Sequence, residues 1–564
     1  MKKIKESPIK RKIIFSFSIV LILFCQNIIG QQNTGNVKGN VTDPNGVSIP
    51  FVNIIIKDSN KGTITDIDGN YEINAPLNSI LVCSSLGYKL KEIIVDRELI
   101  NIILEDDVSS LDEVVVVGYG TQKKKDLTGA ISLVKNEDII KRQATTIAET
   151  LQGLATGVTV RSSAQPGAEA KIEIRGLKNL QSSNPLYVID GLISNANRDF
   201  NSNDVESIQI LKDAAAAAIY GSRAANGVII ITTKKGKEGP LQINFSSKTS
   251  FTQVPRYNLA GKDEFVDLNF QAYDNAGIPR ANLRQDVDTD WQDATFRGGI
   301  MQDHNVSFSG GSQNTSFFVS ANYFGNKGTV ISTDFNRKSF RVNTSADRGI
   351  FSVGENFALS SAYADEKSGN PFVDVVRMLP TIPIYDDRNP GGYGYGEQGI
   401  ANTFGTNPIA LADLSDTSNR NYRLRGNFWA EIKPFEFLKY RLSYGLENSF
   451  DEYNYLRKTG NWTLNQPDDS SIYDKQLGKY ESQILENTVT FTKEFGKHDV
   501  TLLAGTSIQK VVYKNIYGRK RNLPTDPSTG DYFTELGLGD SPVVNGGTNQ
   551  NNLLSYFGRL EYNY

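Results

Sequence analysis

The chain has 564 residues, a length that predicts several domains rather than one. Its formal net charge of −3, with no basic patch carrying interleaved aromatic residues, argues against a nucleic-acid partner. No apolar run of membrane-helix length follows residue 30, which argues against a helical membrane protein, whereas membrane strands that alternate between lipid and lumen would keep an ordinary mean hydropathy.

The first 30 residues carry an export signal. A positively charged segment between residues 2 and 12 precedes an apolar stretch, residues 13–24, of the length found in secretory signal peptides. Cleavage is predicted after Gly30, the nearest small residue. A lipoprotein signal at Cys25 is a weaker alternative, because the bulky Phe24 precedes that cysteine. The sequence therefore predicts an exported protein.

Short strands separated by Asn-Gly and Asp-Gly turns are predicted over residues 36–106, which indicates a small β-sandwich. Residues 66–71 faintly resemble a calcium loop but lack the distal carboxylate of an EF-hand, so we predict a tight turn. Cys83 is expected to be a core residue, and the mature chain can form no internal disulfide. Residues 39–46 and 65–71 resemble the carboxypeptidase-regulatory-like domain, which implies a non-catalytic accessory or docking role in the periplasm.

A run of valines lies in residues 107–121, between two modules that each look complete. β-Branched residues favour an extended backbone, and the common interpretation of such a run is an ordinary buried strand. Its position instead predicts a spare strand that joins another protein's sheet edge by β-augmentation. The segment resembles the TonB box of SusC/RagA-type TonB-dependent outer-membrane transporters. That resemblance implies binding of TonB by Asp112, Glu113, Val114, Val115, Val116, Val117, Gly118 and Tyr119.

Residues 122–235 predict a compact α+β domain. Short helices are predicted near residues 137–142 and 146–153, and strands at 158–161, 171–175 and 186–190. The alanines at 214–218 predict a helix that begins near Asp213 and stops at Gly221. The isoleucine-rich residues 228–233 predict a fully buried strand.

Five motifs in this domain occur in the order found in the plug domain of SusC/RagA transporters, which the domain closely resembles. They cover residues 151–158, 174–176, 185–191 and 204–233, the last of these including two motifs. The signature residues are Arg175, Gly176, Asp190, Gly191, Lys212, Asp213, Tyr220, Gly221, Arg223, Asn226 and Gly227. For residues 174–176 and 220–223 we expect a role in holding the plug together or bridging it to a surrounding wall, rather than contact with cargo.

Residues 240–564 alternate between apolar and polar side chains in segments of roughly ten residues, as transmembrane barrels do. Tyr422, Leu424 and Phe428, for example, alternate with Arg423 and Arg425. A soluble antiparallel sandwich would show the same alternation. Aromatic residues near segment ends and unequal connections favour the barrel. We predict no helices here, and long polar loops at about 367–419, 459–480 and 511–551.

A size argument bears on this barrel. The pattern predicts about ten to twelve strands, whereas a lumen that accepts a folded plug needs a barrel near the 22-stranded class. The large family barrel implied by the resemblance agrees. We therefore expect the sequence to be the N-terminal portion of a longer protein, with the C-terminal half of the barrel missing. The predicted fold class is multidomain and mainly β: a small β-sandwich, an α+β plug and part of a large antiparallel transmembrane β-barrel.

Catalytic and metal-binding patterns are absent from the sequence. His304 and His498, the only histidines, have no zinc-ligand spacing and are expected to lie on the pore wall or rim. No nucleophile elbow or phosphate-binding loop occurs. We predict no enzyme activity, metal or cofactor.

The resemblance implies a function for the whole. We expect TonB-dependent import of a glycan or peptide across the outer membrane, with the first domain in the periplasm, the barrel in lipid and a SusD-like surface lipoprotein as partner. A signal-transducing receptor of similar build and a surface adhesin without transport remain as alternatives.

Overall fold

A computed structural model describes residues 34–564 apart from 45, 58, 60, 86–87, 106–113, 118–119, 124–129, 164, 178–182, 195–198, 214–216, 368, 398–402 and 464–469. The predicted signal peptide lies outside the described residues. The chain divides into two compact units, Met1–Val114 with Gln122–Asp126, and Val115–Thr121 with Leu127–Tyr564.

The first unit contains a small β-sandwich, as predicted. One sheet has the order β4-β1-β7 and the other β3-β2-β5-β6. Alternate side chains of the strands are buried between the sheets, and Cys83 is fully buried among them, as predicted. The strands are β1 Thr34–Thr42, β2 Asn53–Ile56, β3 Gly62–Ile64, β4 Asn70–Pro76, β5 Ile80–Ser84, β6 Lys91–Ile94 and β7 Ile102–Ile103.

The predicted tight turn before β4 is confirmed. The carboxylate of Asp66 accepts hydrogen bonds from the backbone N–H groups of Asp68 at 3.0 Å and Asn70 at 2.8 Å. An aspartate that binds the backbone two residues ahead forms the turn by itself.

The valine run forms a strand of its own, β8 (Val114–Val117), which pairs with β9 (Gly120–Lys123) in a two-stranded sheet. Among the described strands, β8 pairs with none of the sandwich or plug sheets. Of the predicted TonB-binding residues, Asp112, Glu113, Gly118 and Tyr119 lie outside the described residues.

The plug is built on a five-stranded sheet of order β10-β15-β16-β13-β14, with a separate β11-β12 hairpin. β13 and β16 run parallel, and the other neighbours are antiparallel. The second short helix begins with a capping box between Thr146 and Glu149. The elements are β10 Ile131–Lys135, α1 Asn136–Ile140, α2 Ile147–Thr150, β11 Val158–Arg161, β12 Lys171–Ile174, β13 Leu186–Ile189, β14 Leu192–Ser194, β15 Val205–Leu211 and β16 Val228–Thr233.

The alanine-rich segment between β15 and β16 differs in part from its predicted helix. Residues 214–216 lie outside the described residues, and Ala218–Ala224 forms 3-10 turns instead of an α-helix. Gly221 interrupts these turns with φ 67°, a left-handed value that glycine adopts without strain. The predicted stop at Gly221 therefore coincides with a kink.

The largest sheet has ten strands in strict chain order, each antiparallel to the next; we call it the wall. At one end its strands are joined by two-residue turns, and at the other end by connections of 6 to 48 residues. This asymmetry was predicted and is typical of outer-membrane barrels. The strands are β17 Gly239–Thr252, β18 Gly299–Ser312, β19 Thr315–Lys327, β20 Asp334–Arg348, β21 Phe351–Glu366, β22 Ser415–Phe435, β23 Leu438–Arg457, β24 Ile472–Phe495, β25 His498–Arg521 and β26 Asp540–Asn563.

The prediction of no helices in this region is wrong. The long connections contain α3 (Lys262–Ala276), α4 (Trp291–Thr295), α5 (Pro371–Arg377) and α6 (Pro408–Leu414). Apolar residues of these connections pack into one small core, which stabilises the helices through contacts far apart in sequence. None of the helices among the described residues is both long and apolar enough to cross a membrane.

Two predicted loops are also too long. The loop predicted at 459–480 is shorter, because β24 begins at Ile472. The loop predicted at 511–551 is limited to the residues between the end of β25 at Arg521 and the start of β26 at Asp540. These strand ends carry polar side chains on both faces, so they show no apolar alternation, yet backbone pairing does not require it.

The two faces of the wall differ as predicted. Polar and charged side chains of one face contact the plug, whereas large apolar side chains of the other face are exposed. Exposed examples, from 41 to 49% of their surface, are Phe340, Leu359, Tyr422, Phe428, Val489 and Leu502. Such a broad exposed apolar band fits lipid rather than water.

Candidate functional site

The turn after β13 binds the plug to the wall. The carboxylate of Asp190 accepts hydrogen bonds from the backbone N–H of Thr233 at 2.8 Å and its hydroxyl at 2.7 Å. Arg341 on β20 lies 3.4 Å from the same carboxylate, and the Asn427 amide on β22 donates to the Asp190 carbonyl at 2.8 Å. Asp190 adopts a positive φ of 49°, and Gly191 follows at 88°. This turn therefore presents both its side chain and its backbone to the wall.

Arg341 joins a second plug carboxylate. Its Nε lies 3.4 Å from Asp204, which also accepts a hydrogen bond from the Ser320 hydroxyl at 2.6 Å. The guanidinium stacks 5.0 Å from the centre of the Phe200 ring. One buried wall arginine thus bridges two plug carboxylates that lie at the start of β15 and the end of β13.

A third carboxylate, Asp199, is held by two arginines. Arg425 and Arg423 of β22 approach it at 2.9 and 3.6 Å, and both also contact Glu447 of β23, at 3.2 and 3.1 Å. The Ser194 hydroxyl of the plug donates to Glu447 at 3.0 Å. Burial alone would raise the pKa of Asp199, but the two guanidiniums outweigh it and hold the pKa well below its ordinary value. Asp199 is therefore ionised in the folded protein.

Hydrogen bonds other than ion pairs continue the interface along β17 to β20. They join plug amides and carbonyls to wall side chains, at distances from 2.7 to 3.2 Å: Asn203 to Asp303, Asn201 to Asn305, Lys248 to the Ile140 carbonyl, and Arg337 to the Thr145 carbonyl. Buried polar groups of a lumen are satisfied here by the opposite surface, as the low dielectric of an interior requires.

Of the predicted plug signature residues, the structure brings four to the wall. Asp190 and Gly191 lie at the turn described above. Arg223 donates to Gln509 of β25, and Tyr220 is buried in an apolar cluster that includes Ile484 of β24.

The remaining signature residues lie within the plug. Arg175 and Gly176 form a turn with φ 58° and 83°, and the Arg175 N–H donates to the Gly157 carbonyl at 2.8 Å. The Lys212 ammonium donates to Thr156 at 3.1 Å, and its burial beside Arg175 lowers its pKa. Asp213 accepts a hydrogen bond from the Ala130 N–H at 2.5 Å.

Asn226 and Gly227 close the turn before β16. The Asn226 amide donates to the Asn184 carbonyl at 3.3 Å. Gly227 has φ 94°, and a Cβ there would lie 2.7 Å from the Ile174 side chain. Only glycine fits this close approach.

The two histidines occupy different positions. His498 begins β25 at the rim beside a two-residue turn, within the predicted range of positions. His304 lies between Asp303 and Asn305, which face the plug, so it belongs to the outer face, where it contacts the Ser247 hydroxyl at 2.9 Å. The pore-wall position predicted for His304 is therefore wrong.

Sequence reasoning missed the residues that hold the plug most firmly. Arg423 and Arg425 were predicted only as the polar face of a strand, and Arg341 and Asp199 were not singled out. A signal was present, because a charge on a spanning strand needs a partner when it is buried. What the sequence does not show is which plug carboxylate supplies it.

Two further observations concern a cavity beside the plug and the absence of metal-binding groups among the described residues. A cavity of about 1210 Å³ lies between the plug and strands β25 and β26. No group of three or more acidic, histidine or cysteine side chains is placed to hold a metal within the part of the chain that the structure describes.

Comparisons with known proteins agree with this architecture. Residues 123–228 match the TonB-dependent Receptor Plug Domain family, and residues 37–116 match the CarboxypepD_reg-like domain family. The chain is 36% identical over 469 residues to the TonB-dependent receptor SusC of Bacteroides thetaiotaomicron, covering 75% of this chain and 45% of that protein. It is 33% identical over 561 residues to the TonB-dependent receptor P26 of Formosa agariphila, covering 96% and 55%.

A solved structure of the RagAB peptide importer in its open-open state is also similar, with TM-score 0.66, 25% identity, and coverage of 80% of this chain and 55% of that one. The chain thus spans about half the length of the relatives it matches.

A plug domain held by buried ion pairs against the inner face of a large antiparallel sheet defines a TonB-dependent receptor. The carboxypeptidase-regulatory-like domain that precedes the plug and the similarity to SusC and RagAB narrow the class further. These domains and relatives support a member of the SusC/RagA family of TonB-dependent transporters, as the motifs predicted.

Proposed function

We propose that this protein imports a large nutrient across the outer membrane, powered by TonB. The observation that carries the proposal is the plug itself, a folded domain bound to the inner face of a wall whose outer face is apolar. Such a domain blocks passage through a barrel until it is displaced or remodelled. Under this proposal the protein binds and moves a ligand without changing it chemically.

Under this proposal the wall spans the outer membrane, and its apolar outer face supports that location. Two-residue turns then face the periplasm and the long connections face the exterior, as in other outer-membrane barrels. The signal peptide directs export, and the carboxypeptidase-regulatory-like domain lies in the periplasm.

Energy enters through β8. Its four valines form a strand outside the sandwich and plug sheets, and a strand of this kind can add to the sheet edge of TonB. Residues 112–119 are the proposed contact. A pull on them is transmitted along the chain through β9 to β10, the first strand of the plug sheet in chain order.

The cargo class and the surface partner come from the relatives. The RagAB structure is named a peptide importer, and the Bacteroides relative is named SusC. We propose a glycan or peptide as cargo and a SusD-like lipoprotein as the partner that captures it at the exterior.

Deleting residues 112–119 from the full-length natural protein tests the coupling. Uptake of the nutrient should be lost, while binding of the same nutrient at the cell surface and the amount of protein in the outer membrane should be unchanged. Unchanged uptake would overturn the TonB-coupled import and favour a surface adhesin. Loss of a transcriptional response with uptake intact would favour a signalling receptor.

A further inference from the structure

The inner face of the wall continues beyond the plug toward the long connections. Side chains an even number of residues from Arg423 on β22 share its inward face. Asn419 is four residues from Arg423 toward the long-connection end, about 13 Å along the strand. The inner face at that level therefore lies closer to the long connections than the arginines that hold the plug do.

The strand register extends this level across four strands. Asn419 pairs with Tyr453 of β23, Tyr453 with Gln476 of β24, and Gln476 with Tyr517 of β25. Tyr453 and Glu447 are six residues apart, and Tyr517 and Gln509 are eight apart, so each tyrosine shares the inward face of a residue that lies at the plug interface. Two tyrosines thus flank one glutamine, about 9.5 Å apart by the spacing of strands.

The adjoining rows add one more tyrosine and further amides. Toward the exterior, Tyr455 pairs with Asp474, which pairs with Arg519. Toward the plug, Asn421 of β22 pairs with Asp451 of β23, and Asn515 of β25 lies in the same row.

One of the two carboxylates in these rows is paired with an arginine. The Arg519 guanidinium binds the Asp474 carboxylate with two contacts of 2.6 Å. Asp451 accepts hydrogen bonds from the Asn421 amide and, at 3.1 Å, from the Ser449 hydroxyl. No lysine lies in these three rows of β22 to β25. An anionic ligand would thus find no cation in these rows that lacks a carboxylate partner.

The tyrosine rings and amides remain accessible. Tyr453, Tyr455, Gln476, Asn515 and Tyr517 are all partly exposed. By contrast, Asn421 is 3% exposed, and its side-chain oxygen has no hydrogen-bond partner among the described residues. A ligand therefore does not reach this oxygen, and the accessible amides of the surface are those of Gln476 and Asn515.

We propose that this surface is a cargo subsite for a neutral, polyhydroxylated ligand, that is, the sugar units of an uncharged glycan. Amides both donate to and accept from hydroxyl groups, and the flat faces of tyrosine rings pack against the C–H faces of sugar rings. The tyrosine hydroxyls add polar contacts at the ring edges. The inference rests on the import function proposed above and selects glycan over peptide as the cargo.

The test uses the full-length natural protein purified from outer membranes. Binding is measured by calorimetry for a panel of neutral oligosaccharides from α- and β-glucan, xylan, mannan and fructan, and separately for a tryptic digest of casein. At least one neutral oligosaccharide should bind. Tyr453→Ala and Tyr517→Ala should each weaken that binding about tenfold, because each removes a ring that packs on the ligand. Tyr453→Phe and Tyr517→Phe should recover most of it.

Tyr444→Ala is the matched control, because Tyr444 lies on the same strand as Tyr453 but on the outer face, and it should leave binding unchanged. Binding of peptides but of no neutral oligosaccharide overturns the subsite, as does equal saccharide binding by wild type and the two alanine variants. Peptide uptake that still requires residues 112–119 would then leave the proposed import function standing. Failure of the deletion test with saccharide binding intact would overturn the import function alone.

Discussion

The guanidinium of Arg425 on the wall lies 2.9 Å from the carboxylate of Asp199 in the plug, and both side chains are more than nine-tenths buried. Glu447, also on the wall, binds the same guanidinium at 3.2 Å and Arg423 at 3.1 Å. Two wall arginines therefore have one carboxylate of their own and require a second from the plug. Docking of the plug completes the neutralisation, and its departure leaves one positive charge on the wall without a carboxylate partner.

Removing that plug carboxylate should destabilise the docked plug. We predict that Asp199→Ala lowers the free energy of plug unfolding in the full-length protein by about 3–5 kcal/mol, because it leaves a buried charge uncompensated. Denaturant unfolding followed by hydrogen exchange of the plug amides, or by leakage of a large dye through the channel, measures this.

The matched control is Glu452→Ala, which breaks the partly exposed contact of 2.9 Å with Lys475 on the outer face. That change should cost less than about 1 kcal/mol. Adding Arg425→Met to Asp199→Ala should restore much of the loss, since both buried charges of the pair are then gone. Equal effects of Asp199→Ala and Glu452→Ala would show that the buried pair does not hold the plug.

The same pair predicts how the plug responds to acid. The pKa of Asp199 lies below its ordinary value in the folded protein, so the stability it contributes is complete above about pH 4 and is lost as the pH falls through the folded pKa. Plug stability should therefore show no Asp199-dependent change between pH 7 and 5, and a decline only below pH 4 that Asp199→Asn reduces. An Asp199-dependent loss between pH 7 and 5 would contradict this assignment.

Asp213 should stabilise the start of β10, where the chain that follows residues 112–119 enters the plug. Its carboxylate accepts a hydrogen bond from the Ala130 N–H, directly before the edge strand β10. We predict that Asp213→Ala speeds hydrogen exchange of the β10 amides by roughly tenfold or more, since hydrogen bonds to charged groups contribute about 1.5–3 kcal/mol. Asp138→Ala, which removes an exposed carboxylate on α1, is the control. Unchanged exchange in β10 would mean that Asp213 does not secure this strand.

Cys83 should be chemically inert while the sandwich is folded. It is fully buried, and burial raises the pKa of its thiol to about 11, so little thiolate is present at neutral pH. Maleimide should label it only after denaturation. Rapid labelling of the native protein would show that the sandwich opens or packs differently.

The features of the wall that depend only on neighbouring residues were predicted correctly. Side chains of a strand alternate between faces with a period of two, so the inward position of Arg423 and Arg425 and the outward position of Tyr422 could be derived from adjacent residues. Turn residues and the plug motifs likewise act over short distances. The sandwich turn at Asp66 is one example.

The contacts between plug and wall could not be predicted in this way. Asp199 and Arg425 are 226 positions apart, and nothing in either local sequence selects the other. The helices in the long connections were missed for a related reason, because they are stabilised by a core that brings α4 and α5 together. Their local signals, Pro371 and Pro408 at the first turn, were present but were outweighed by the polar composition of the segments.

The most direct test of the central claim is to remove the strand-pairing capacity of β8 in the full-length protein. Val115→Pro combined with Val116→Pro deletes two backbone N–H donors, one facing each side of the strand, whereas Val115→Thr with Val116→Thr keeps both donors and the β-branched shape. The account predicts that the proline pair abolishes both capture of the purified TonB C-terminal domain and nutrient uptake, with extracellular binding retained, and that the threonine pair preserves all three. Uptake at the wild-type rate by the proline pair would contradict it.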